Sequence, residues 1–406
     1  MTDNIADKSL LPAGIRDVLP PDATFEAEAV GRLIDRFALH GYERVKPPLL
    51  EFEETLLAGN GAALGDQTFR LMDPESRRMM ALRPDMTLQV ARIAATRLGR
   101  RARPLRLCYS GQVLRVKGTQ LRPERQFGQV GAELIGAASA AADVEVILMG
   151  IEALIDAGVQ RLGVDIGMPT LVPALLAERK IAPVSLDRLR LALDRKDAAA
   201  VAELGPSLGA GPGGNLGETL SRMLVSAGPA ANALVALADL DLPPAAAAAR
   251  ADLIDVVGRV ADGLAVLDAG HVTLTVDPVE NRGFGYHTGV GFTFFAGGVR
   301  GELGSGGRYR TGGNPMNGLA NGEPATGLTL FTDTLLAALP RPDRGRRVYV
   351  PLGVSAAVAR RLRGEGWATV AALGADADPV AAARAMGCGH IWDTGKSAPV
   401  EISRSP

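Results

Sequence analysis

Apolar residues recur along this chain with two different spacings, and each spacing predicts a type of secondary structure. Over residues 23–40 and 141–156 they recur every three or four positions, which is typical of amphipathic helices that pack on a sheet. In residues 162–166 and 272–276 they alternate with small or polar residues, which predicts strands. The mixture of long helices and separated strands indicates an α+β fold.

Prolines and turn residues divide the first part of the chain. Residues 67–73 and 78–84 are predicted to pair as strands around the turn sequence DPES. Residues 41–54 read as a strand that Pro47 and Pro48 interrupt. Because proline cannot donate a ladder hydrogen bond, this strand is expected at an edge or an interface of a sheet, and a surface edge of a monomer remains an alternative.

A helix is predicted to open at residues 83–87. Pro84 and Asp85 would lie in its first turn, where proline and acidic side chains are favoured. The alternative interpretation is that Asp85 binds no ligand and only complements the helix dipole.

Residues 105–136 predict a β-hairpin around which the rest of the chain is organised. An apolar strand ends at Arg115, a basic loop contains Lys117 and Arg122, and a return strand starts at Arg125. We expect the chemistry of the protein to lie in this hairpin.

The two faces of the return strand differ, because side chains alternate across a strand. One face is small and apolar and predicts core. The other carries Arg125, Phe127, Gln129, Gly131 and Glu133. A carboxylate for an ammonium group, an amide as donor or acceptor, and space beside the glycine would suit a small zwitterion. The alternative is an exposed polar strand face.

The chain is predicted to contain four parts. Residues 1–168 and 266–340 form two parts of one mixed domain, and 169–265 form an alanine- and leucine-rich helical insertion with no strand pattern. Residues 341–406 alternate strand and helix patterns and predict a small α/β unit, whose last residues, 397–406, are expected to fray.

Composition narrows the functional classes. The 406 residues include 44 basic and 45 acidic side chains, so no global charge favours nucleic acid or an anionic membrane. Arginines in residues 97–106 could form a local basic patch or a solvated helix end. Cys108 and Cys388 make neither a disulfide framework nor a zinc pattern, and no apolar run is long enough to cross a membrane. These features predict a cytoplasmic protein.

The hairpin resembles motif 2 of the class II aminoacyl-tRNA synthetases, specifically the histidyl branch. Arg115, the run Arg125-Gln126-Phe127, Gln129, and Gly131-Ala132-Glu133 stand where that family has an arginine, RQF, a glutamine and Gly-x-Glu. The resemblance implies a class II-like antiparallel sheet flanked by helices, with a helical insertion and a small C-terminal α/β unit.

Two N-terminal segments extend the resemblance. Residues 41–54 are similar to motif 1, with Pro48 in place of its proline, and this implies a self-dimer through that region. Arg83-Pro84-Asp85-Met86-Thr87 is similar to the histidyl Arg-Pro-Glu-x-Thr, whose acid binds the substrate amino group. Asp85 is one methylene shorter than that glutamate, which implies a related but altered pocket.

Two glycine-rich segments resemble the histidyl-specific motifs. Residues 282–289, RGFGYHTG, stand where the family has Arg-Gly-Leu-Asp-Tyr-Tyr, and residues 306–309 match Gly-Gly-Arg-Tyr. Arg282 and Tyr286 are kept, whereas His287 replaces a tyrosine that contacts the substrate. We therefore interpret His287 as a ligand contact and not as a catalyst.

The chain departs from the synthetases where ATP would bind. In the segment similar to motif 3, Phe331 replaces a glycine and Thr334 replaces the arginine that grips ATP, while Lys117 replaces an acid in the motif 2 loop. Phosphate chemistry needs positive charges fixed where negative charge develops. These losses predict a synthetase-like scaffold that has lost aminoacylation and kept much of its amino-acid pocket.

The whole pattern is similar to the synthetase paralogues that regulate ATP phosphoribosyltransferase in the first step of histidine biosynthesis. That resemblance implies a non-catalytic subunit that needs no cofactor, binds histidine as effector, partners a short catalytic subunit, and contacts neither tRNA nor membrane. The implied histidine-binding residues are Asp85, Thr87, Gln129, Glu133, Arg282, Tyr286 and His287, beside Arg115 and Arg125 as remnants of motif 2. The alternatives are a divergent histidyl-tRNA synthetase and an amino-acid ligase with another acceptor.

Overall fold

The computed structural model describes residues 10–120, 122–177, 179–208, 215–280, 286–312, 322–341 and 346–402. The chain divides into two compact units, Met1–Leu339 and Pro340–Pro406. Across the described residues, no helix has both the length and the apolar character that a membrane crossing requires.

Sixteen strands are formed by the described residues. In chain order they are β1 (Glu43–Arg44), β2 (Leu50–Phe52), β3 (Arg70–Met72), β4 (Met79–Leu82), β5 (Leu105–Leu114), β6 (Gln126–Ile135), β7 (Leu162–Gly167), β8 (Gly228–Pro229), β9 (Thr273–Asp277), β10 (His287–Ala296), β11 (Gly304–Arg310), β12 (Pro324–Phe331), β13 (Arg347–Val350), β14 (Ala368–Ala371), β15 (His390–Asp393) and β16 (Ala398–Glu401).

Thirteen α-helices are formed by the described residues. In chain order they are α1 (Asp22–Leu39), α2 (Glu53–Leu56), α3 (Thr87–Thr96), α4 (Ala140–Ala157), α5 (Leu171–Leu176), α6 (Pro183–Asp194), α7 (Ala198–Leu204), α8 (Leu216–Ser226), α9 (Ala230–Ala238), α10 (Pro244–Val266), α11 (Thr332–Ala338), α12 (Ala356–Gly364) and α13 (Pro379–Ala385). Two 3-10 helices, Gly59–Gln67 and Gly205–Leu208, complete the set.

The first unit is built on a nine-stranded sheet in the order β1-β5-β6-β12-β11-β10-β7-β9-β8. The six strands from β5 to β7 in this order pair antiparallel, while β1 joins β5 and β9 joins β7 in parallel. The strand predicted over residues 41–54 forms two short strands, one on each side of Pro47 and Pro48. Strand β1 lies at the edge of this sheet, and β2 lies at the edge of a separate three-stranded sheet in the order β2-β4-β3, which confirms the predicted edge position.

Helices cover both faces of this sheet, and β6 shows why. Val130, Ala132 and Leu134 point into a core shared with α1 and α4. Phe127 and Ile135 point the opposite way, into a second core with α3. The alternation predicted for the return strand is therefore confirmed, but the exposed polar face offered as an alternative is excluded because both faces are covered.

Three local predictions are corrected. Helix α3 begins at Thr87, so Pro84 and Asp85 precede its first turn. The insertion region contains a two-residue strand, β8, which pairs with β9 at the sheet edge. The predicted frayed tail contains β16, which pairs antiparallel with β15. Pro399 is compatible with β16 because that strand lies at an edge.

The helical character predicted after residue 169 is confirmed by α5 to α10, apart from β8. The contact pattern places these helices in the same compact unit as the nine-stranded sheet. The division of the chain into four parts stays a prediction.

The second unit contains a four-stranded sheet in the order β14-β13-β15-β16. Strand β13 pairs in parallel with both β14 and β15. The alternation of strand and helix predicted within residues 341–406 is confirmed by the order β13, α12, β14, α13 and β15.

Candidate functional site

A cavity of about 470 Å³ opens on the face of the sheet that carries α3. Strands β6, β7, β10, β11 and β12 contribute to its wall. Among the residues predicted as site residues, those that line it are Asp85, Thr87, Arg115, Glu133, Tyr286 and His287. Segments far apart in sequence are thus brought to one place by the strand order. Arg282 lies outside the described residues.

Asp85 is held at the cavity wall by two neighbours. Its Oδ1 accepts the Thr87 backbone N–H at 2.8 Å, and its Oδ2 accepts the side-chain amide of Gln129 at 2.7 Å. The Gln129 carbonyl oxygen accepts the Met86 N–H at 3.0 Å. Gln129 is fully buried, so it lies behind Asp85 and fixes that carboxylate, with its amide group used within the chain.

Glu133 is buried between two tyrosine hydroxyl groups. Tyr109 donates to its Oε1 at 3.1 Å, and Tyr309 donates to its Oε2 at 2.9 Å. Burial raises the pKa of Glu133 to about 8, although these hydrogen bonds oppose the shift. Glu133 is therefore mainly protonated at neutral pH. Asp85 is the carboxylate of this wall that can meet an ammonium group.

The register of three strands explains the position of Glu133. It pairs with Gly327 of β12, where an added Cβ would lie 1.7 Å from a Glu133 oxygen. Glycine is therefore required at position 327 for the carboxyl group to occupy this place. Tyr109 extends the network, because its hydroxyl also lies 3.0 Å from Thr87 Oγ1 and 3.0 Å from Thr329 Oγ1.

The space beside Gly131 is filled by protein. Gly131 pairs with Tyr109 across β5 and β6, and an added Cβ would lie 2.3 Å from the tyrosine ring. The prediction that this glycine leaves room for a ligand is wrong. The Tyr109 ring occupies that room, and from there its hydroxyl group donates to Glu133.

Arg125 also departs from its predicted place. The residue precedes β6, and its guanidinium donates to Ala13 O at 3.2 Å and lies 5.0 Å from the centre of the Phe69 ring. Its backbone N–H donates to Gly14 O at 2.7 Å. Its Nε donates to Arg115 O at 3.4 Å, and Arg125 is not among the residues that line the cavity.

Arg115 remains at the cavity, just beyond the end of β5. Its Nε donates to Pro84 O at 3.3 Å, and its guanidinium lies 5.1 Å from the centre of the Phe127 ring. Burial lowers the pKa of Arg115, and the charge of Asp85 opposes that shift. An acid and a base therefore occupy one part of the cavity, as a zwitterion requires.

A second arginine lines the cavity but is paired within the chain. Arg122 Nε donates to Asp333 Oδ2 at 2.9 Å, and its guanidinium lies 3.7 Å from the centre of the Phe331 ring. Phe331 also meets Phe127 edge to face at 5.9 Å. Thr334, where the resemblance expects an arginine, donates to Glu302 O at 2.7 Å. We call Arg122, Phe331, Asp333 and Thr334 the closed end.

Tyr286 and His287 begin the long strand pair on the other side of the cavity. Tyr286 stacks on Tyr309 with ring centres 5.2 Å apart, and it meets the His287 ring at 5.5 Å. Burial raises the pKa of Tyr286 well above its usual range. These rings give the cavity an aromatic wall beside Glu133.

Three carboxyl groups with the spacing of cation ligands lie at one side of the cavity. Ligand atoms of Asp165, Asp277 and Glu280 all lie within 4.8 Å of one another. Lys196 forms an ion pair with Asp277 at 2.5 Å, and Thr275 donates to Asp165 at 2.7 Å. Part of the negative charge is therefore already balanced within the chain.

The basic stretch at residues 97–106 is paired with acids. Arg101 meets Glu43, Arg103 meets Glu323 at 2.5 Å, and Arg106 meets Glu145 at 2.7 Å. The interpretation as a basic patch for nucleic acid is not supported for these three arginines.

Several site residues were missed by the sequence analysis: Tyr109, Thr329, Glu302 and Asp333. Tyr109 had a readable signal, because it lies opposite Gly131 in a hairpin whose register follows from its predicted strands. The pairing of Arg122 with Asp333 joins residues 211 positions apart and had no such signal.

The fold and the cavity define a protein of the class II histidyl-synthetase type, and residues 14–335 match the family model Histidyl-tRNA synthetase. The ATP phosphoribosyltransferase regulatory subunit of Paramagnetospirillum magneticum is 56% identical over 390 residues, which cover 96% of this chain and 97% of that relative. The chain therefore belongs to the family of ATP phosphoribosyltransferase regulatory subunits.

Solved structures agree with this assignment. An ATP phosphoribosyltransferase regulatory subunit/histidyl-tRNA synthetase from Bacillus halodurans aligns with a TM-score of 0.77 and 29% identity, over 93% of this chain and 96% of that one. An ATP phosphoribosyl transferase (HisG:HisZ) complex from Thermotoga maritima shares the fold, with a TM-score of 0.57 and 18% identity over 76% of this chain and 97% of that one.

Proposed function

We propose that this chain is a cytoplasmic, non-catalytic subunit that binds histidine in the cavity and thereby regulates a separate short catalytic subunit of ATP phosphoribosyltransferase. The chain would activate that subunit, and histidine would suppress the activity. For histidine to act, it must bind one state of the complex better than the other, because a ligand shifts an equilibrium only by its differential affinity.

The observation that carries the proposal is the contrast between Asp85 and Arg122 in one cavity. Asp85 accepts a hydrogen bond from the Thr87 N–H at one oxygen and from the Gln129 amide at the other, and a carboxylate can accept more. It can therefore bind the ammonium group of an amino acid, while Arg115 faces the same space and suits the carboxylate. Aromatic rings at Tyr286 and Tyr309 offer a flat surface for an imidazole.

Loss of ATP chemistry is supported by the closed end. Arg122 forms an ion pair with Asp333, and its guanidinium stacks on the Phe331 ring. Thr334 donates a hydrogen bond to a backbone carbonyl. Transfer of a nucleotidyl group needs cations placed on developing negative charge. We therefore propose that the chain is not an enzyme and needs no cofactor.

The name of one related structure supports a catalytic partner for this chain. The Thermotoga maritima structure bears the name of a HisG:HisZ complex, and we propose an equivalent catalytic partner here. We also propose a self-dimer through the region near Pro48, as the resemblance implies, and no binding of tRNA or membrane.

The test measures phosphoribosyltransferase activity of the short catalytic subunit with and without this chain, while histidine is titrated. Activation by the chain and suppression by histidine are expected, and Asp85→Asn should activate normally but lose the response to histidine. The proposal fails if the chain does not change the activity. Histidine-dependent exchange of pyrophosphate into ATP by the chain alone would instead identify a divergent synthetase.

A further inference from the structure

Arg83 is a buried cation that joins separate backbone segments. The residue is 6% exposed, and its guanidinium donates to Gln112 O at 2.8 Å, Pro47 O at 3.0 Å and Pro48 O at 3.4 Å. A buried guanidinium is costly unless its donors are satisfied, and its planar fork suits acceptors on different segments. Arg83 therefore ties the turn at Pro47 and Pro48 to strand β5.

The backbone of Arg83 makes the same connection. Its N–H donates to Leu49 O at 3.2 Å, and its carbonyl accepts the Leu114 N–H at 3.1 Å. Asp85 follows two residues later. The carboxylate that faces the cavity is thus attached to a point that is fixed on both sides, by the turn and by β5.

A glycine in β5 makes room for this arrangement. A Cβ added at Gly111 would lie 2.3 Å from Arg83 Nη2 and 3.2 Å from the Met86 sulfur. The guanidinium therefore lies directly across Gly111. A methyl group there would displace the Arg83 side chain without altering its charge.

Helix α3 carries a second tie to the same turn. The Gln89 amide donates to Pro48 O at 2.8 Å and to Glu51 Oε1 at 2.9 Å, and Arg92 forms an ion pair with Glu51. The turn, the segment from Arg83 to Thr87 and the start of α3 are therefore held as one body.

We propose that Arg83 is a positioning residue that holds Asp85 and its turn in the geometry that binds histidine. The identity of the ligand rests on the proposed function, whereas the positional role rests on the contacts of Arg83 alone. A binding group must be held within about half an ångström of the position in which it binds the ligand. The residues that contact the binding group determine whether it stays there. Displacing Arg83 should therefore weaken binding although Arg83 does not line the cavity.

The experiment measures histidine affinity by calorimetry on the full chain, together with the melting temperature and amide hydrogen exchange of a peptide containing Met86 and Thr87. The variants are Arg83→Lys, which keeps the charge and loses the fork, and Gly111→Ala, which displaces the fork. Arg103→Lys is the control for an arginine that bonds several acceptors, because Arg103, whose side chain is 20% exposed, bonds Glu323 and the Leu98 and Ala94 carbonyls. Gly163→Ala is the control for a strand glycine, since its Cβ would meet nothing nearer than 3.9 Å.

We expect Arg83→Lys and Gly111→Ala to weaken histidine binding roughly tenfold or more and to speed exchange at Met86 and Thr87. Arg103→Lys should lower the melting temperature with affinity unchanged. Unchanged affinity in both test variants, or an equal loss in Arg103→Lys, would overturn the proposal.

If the wild-type chain does not bind histidine, the proposed function fails, and the exchange measurement still decides the role of Arg83. Faster exchange in the test variants supports the positioning role, and unchanged exchange overturns it. If Arg83→Lys does not fold, Gly111→Ala carries the test.

Discussion

The two ends of the cavity differ in whether their charged side chains are already paired within the chain. At the end formed by Asp85, the carboxylate is positioned by Gln129 and Thr87 and still has acceptor capacity toward the cavity. At the closed end, the cation of Arg122 is bound by Asp333 and covered by Phe331. A charged residue at a cavity wall is therefore available to a ligand only if the chain has not already supplied its partner.

The largest effect is expected from opening the closed end. Phe331→Ala removes a ring that packs on Phe127 and Arg122, and it should lower the free energy of unfolding by about 3–5 kcal/mol. Urea unfolding measures this loss. Phe69→Ala, at a less buried ring, is the control and should cost less. Histidine affinity should change little, and a large loss of affinity in Phe331→Ala would break the contrast between the two ends.

The next effect concerns the other end. Asp85→Asn removes the charge that meets the ligand ammonium, and it should weaken histidine binding by about 2–5 kcal/mol. Calorimetry gives the affinity, and urea unfolding should show a much smaller change in stability. Asp66→Asn changes the net charge equally at an exposed position and should bind histidine as the wild type does. Equal losses in both variants would mean that net charge, and not position, governs binding.

The pH dependence of stability sharpens the role of Glu133. Its pKa in the folded state, about 8, lies above the ordinary value of 4.5. At a pH between these two values, the carboxyl group therefore keeps its proton in the folded state and has lost it in the unfolded state. The stability contributed by this proton is complete below pH 4.5 and is lost as pH rises toward 8, by at most about 1.4 kcal/mol per pH unit. Glu133→Gln should flatten this part of the profile.

Urea unfolding at several pH values between 5 and 9 checks this prediction. Glu365→Gln, at an exposed position, is the control and should follow the wild-type profile. If Glu133→Gln and the wild type lose stability in parallel from pH 5 to 8, the Glu133 carboxyl group is ionised in the folded chain and the raised pKa assigned to it is wrong.

The smallest effect is expected at Arg125. Arg125→Ala removes a guanidinium that donates to the Ala13 and Arg115 backbone carbonyls and lies near Phe69, and that does not line the cavity itself, so histidine affinity should stay within about twofold, while the free energy of unfolding falls by roughly 1 kcal/mol. Calorimetry and urea unfolding measure the two quantities. A tenfold loss of affinity would restore Arg125 to the ligand face on which the sequence analysis placed it.

Local rules predicted most of the fold. Helices α1 and α4 and strands β7 and β9 follow from apolar periodicity, and the pair β3 and β4 follows from its turn sequence. The antiparallel sheet flanked by helices was predicted from the resemblance, but the order of the nine strands was not predicted, because pairing between distant strands leaves no local pattern in the sequence. Strand β16 was missed since a polar edge strand has the composition of a loop.

The site was predictable only where strand alternation or a motif reported it. Asp85, Thr87 and Glu133 line the cavity as their motifs implied, but the use of Gln129 behind Asp85 depends on a contact between segments 44 positions apart. The protonation of Glu133 depends on its burial, which sequence does not give. The pairing that closes the Arg122 end also arises only in the folded chain.

The contact between Gly327 and Glu133 also constrains how this sequence can change. Any side chain at position 327 would overlap the carboxyl group of its cross-strand neighbour. Alanine there becomes acceptable only after residue 133 has been shortened or turned away. In a library of variants, substitutions at position 327 should therefore be recovered together with substitutions at position 133. Two positions nearly 200 residues apart in the sequence can therefore change only together.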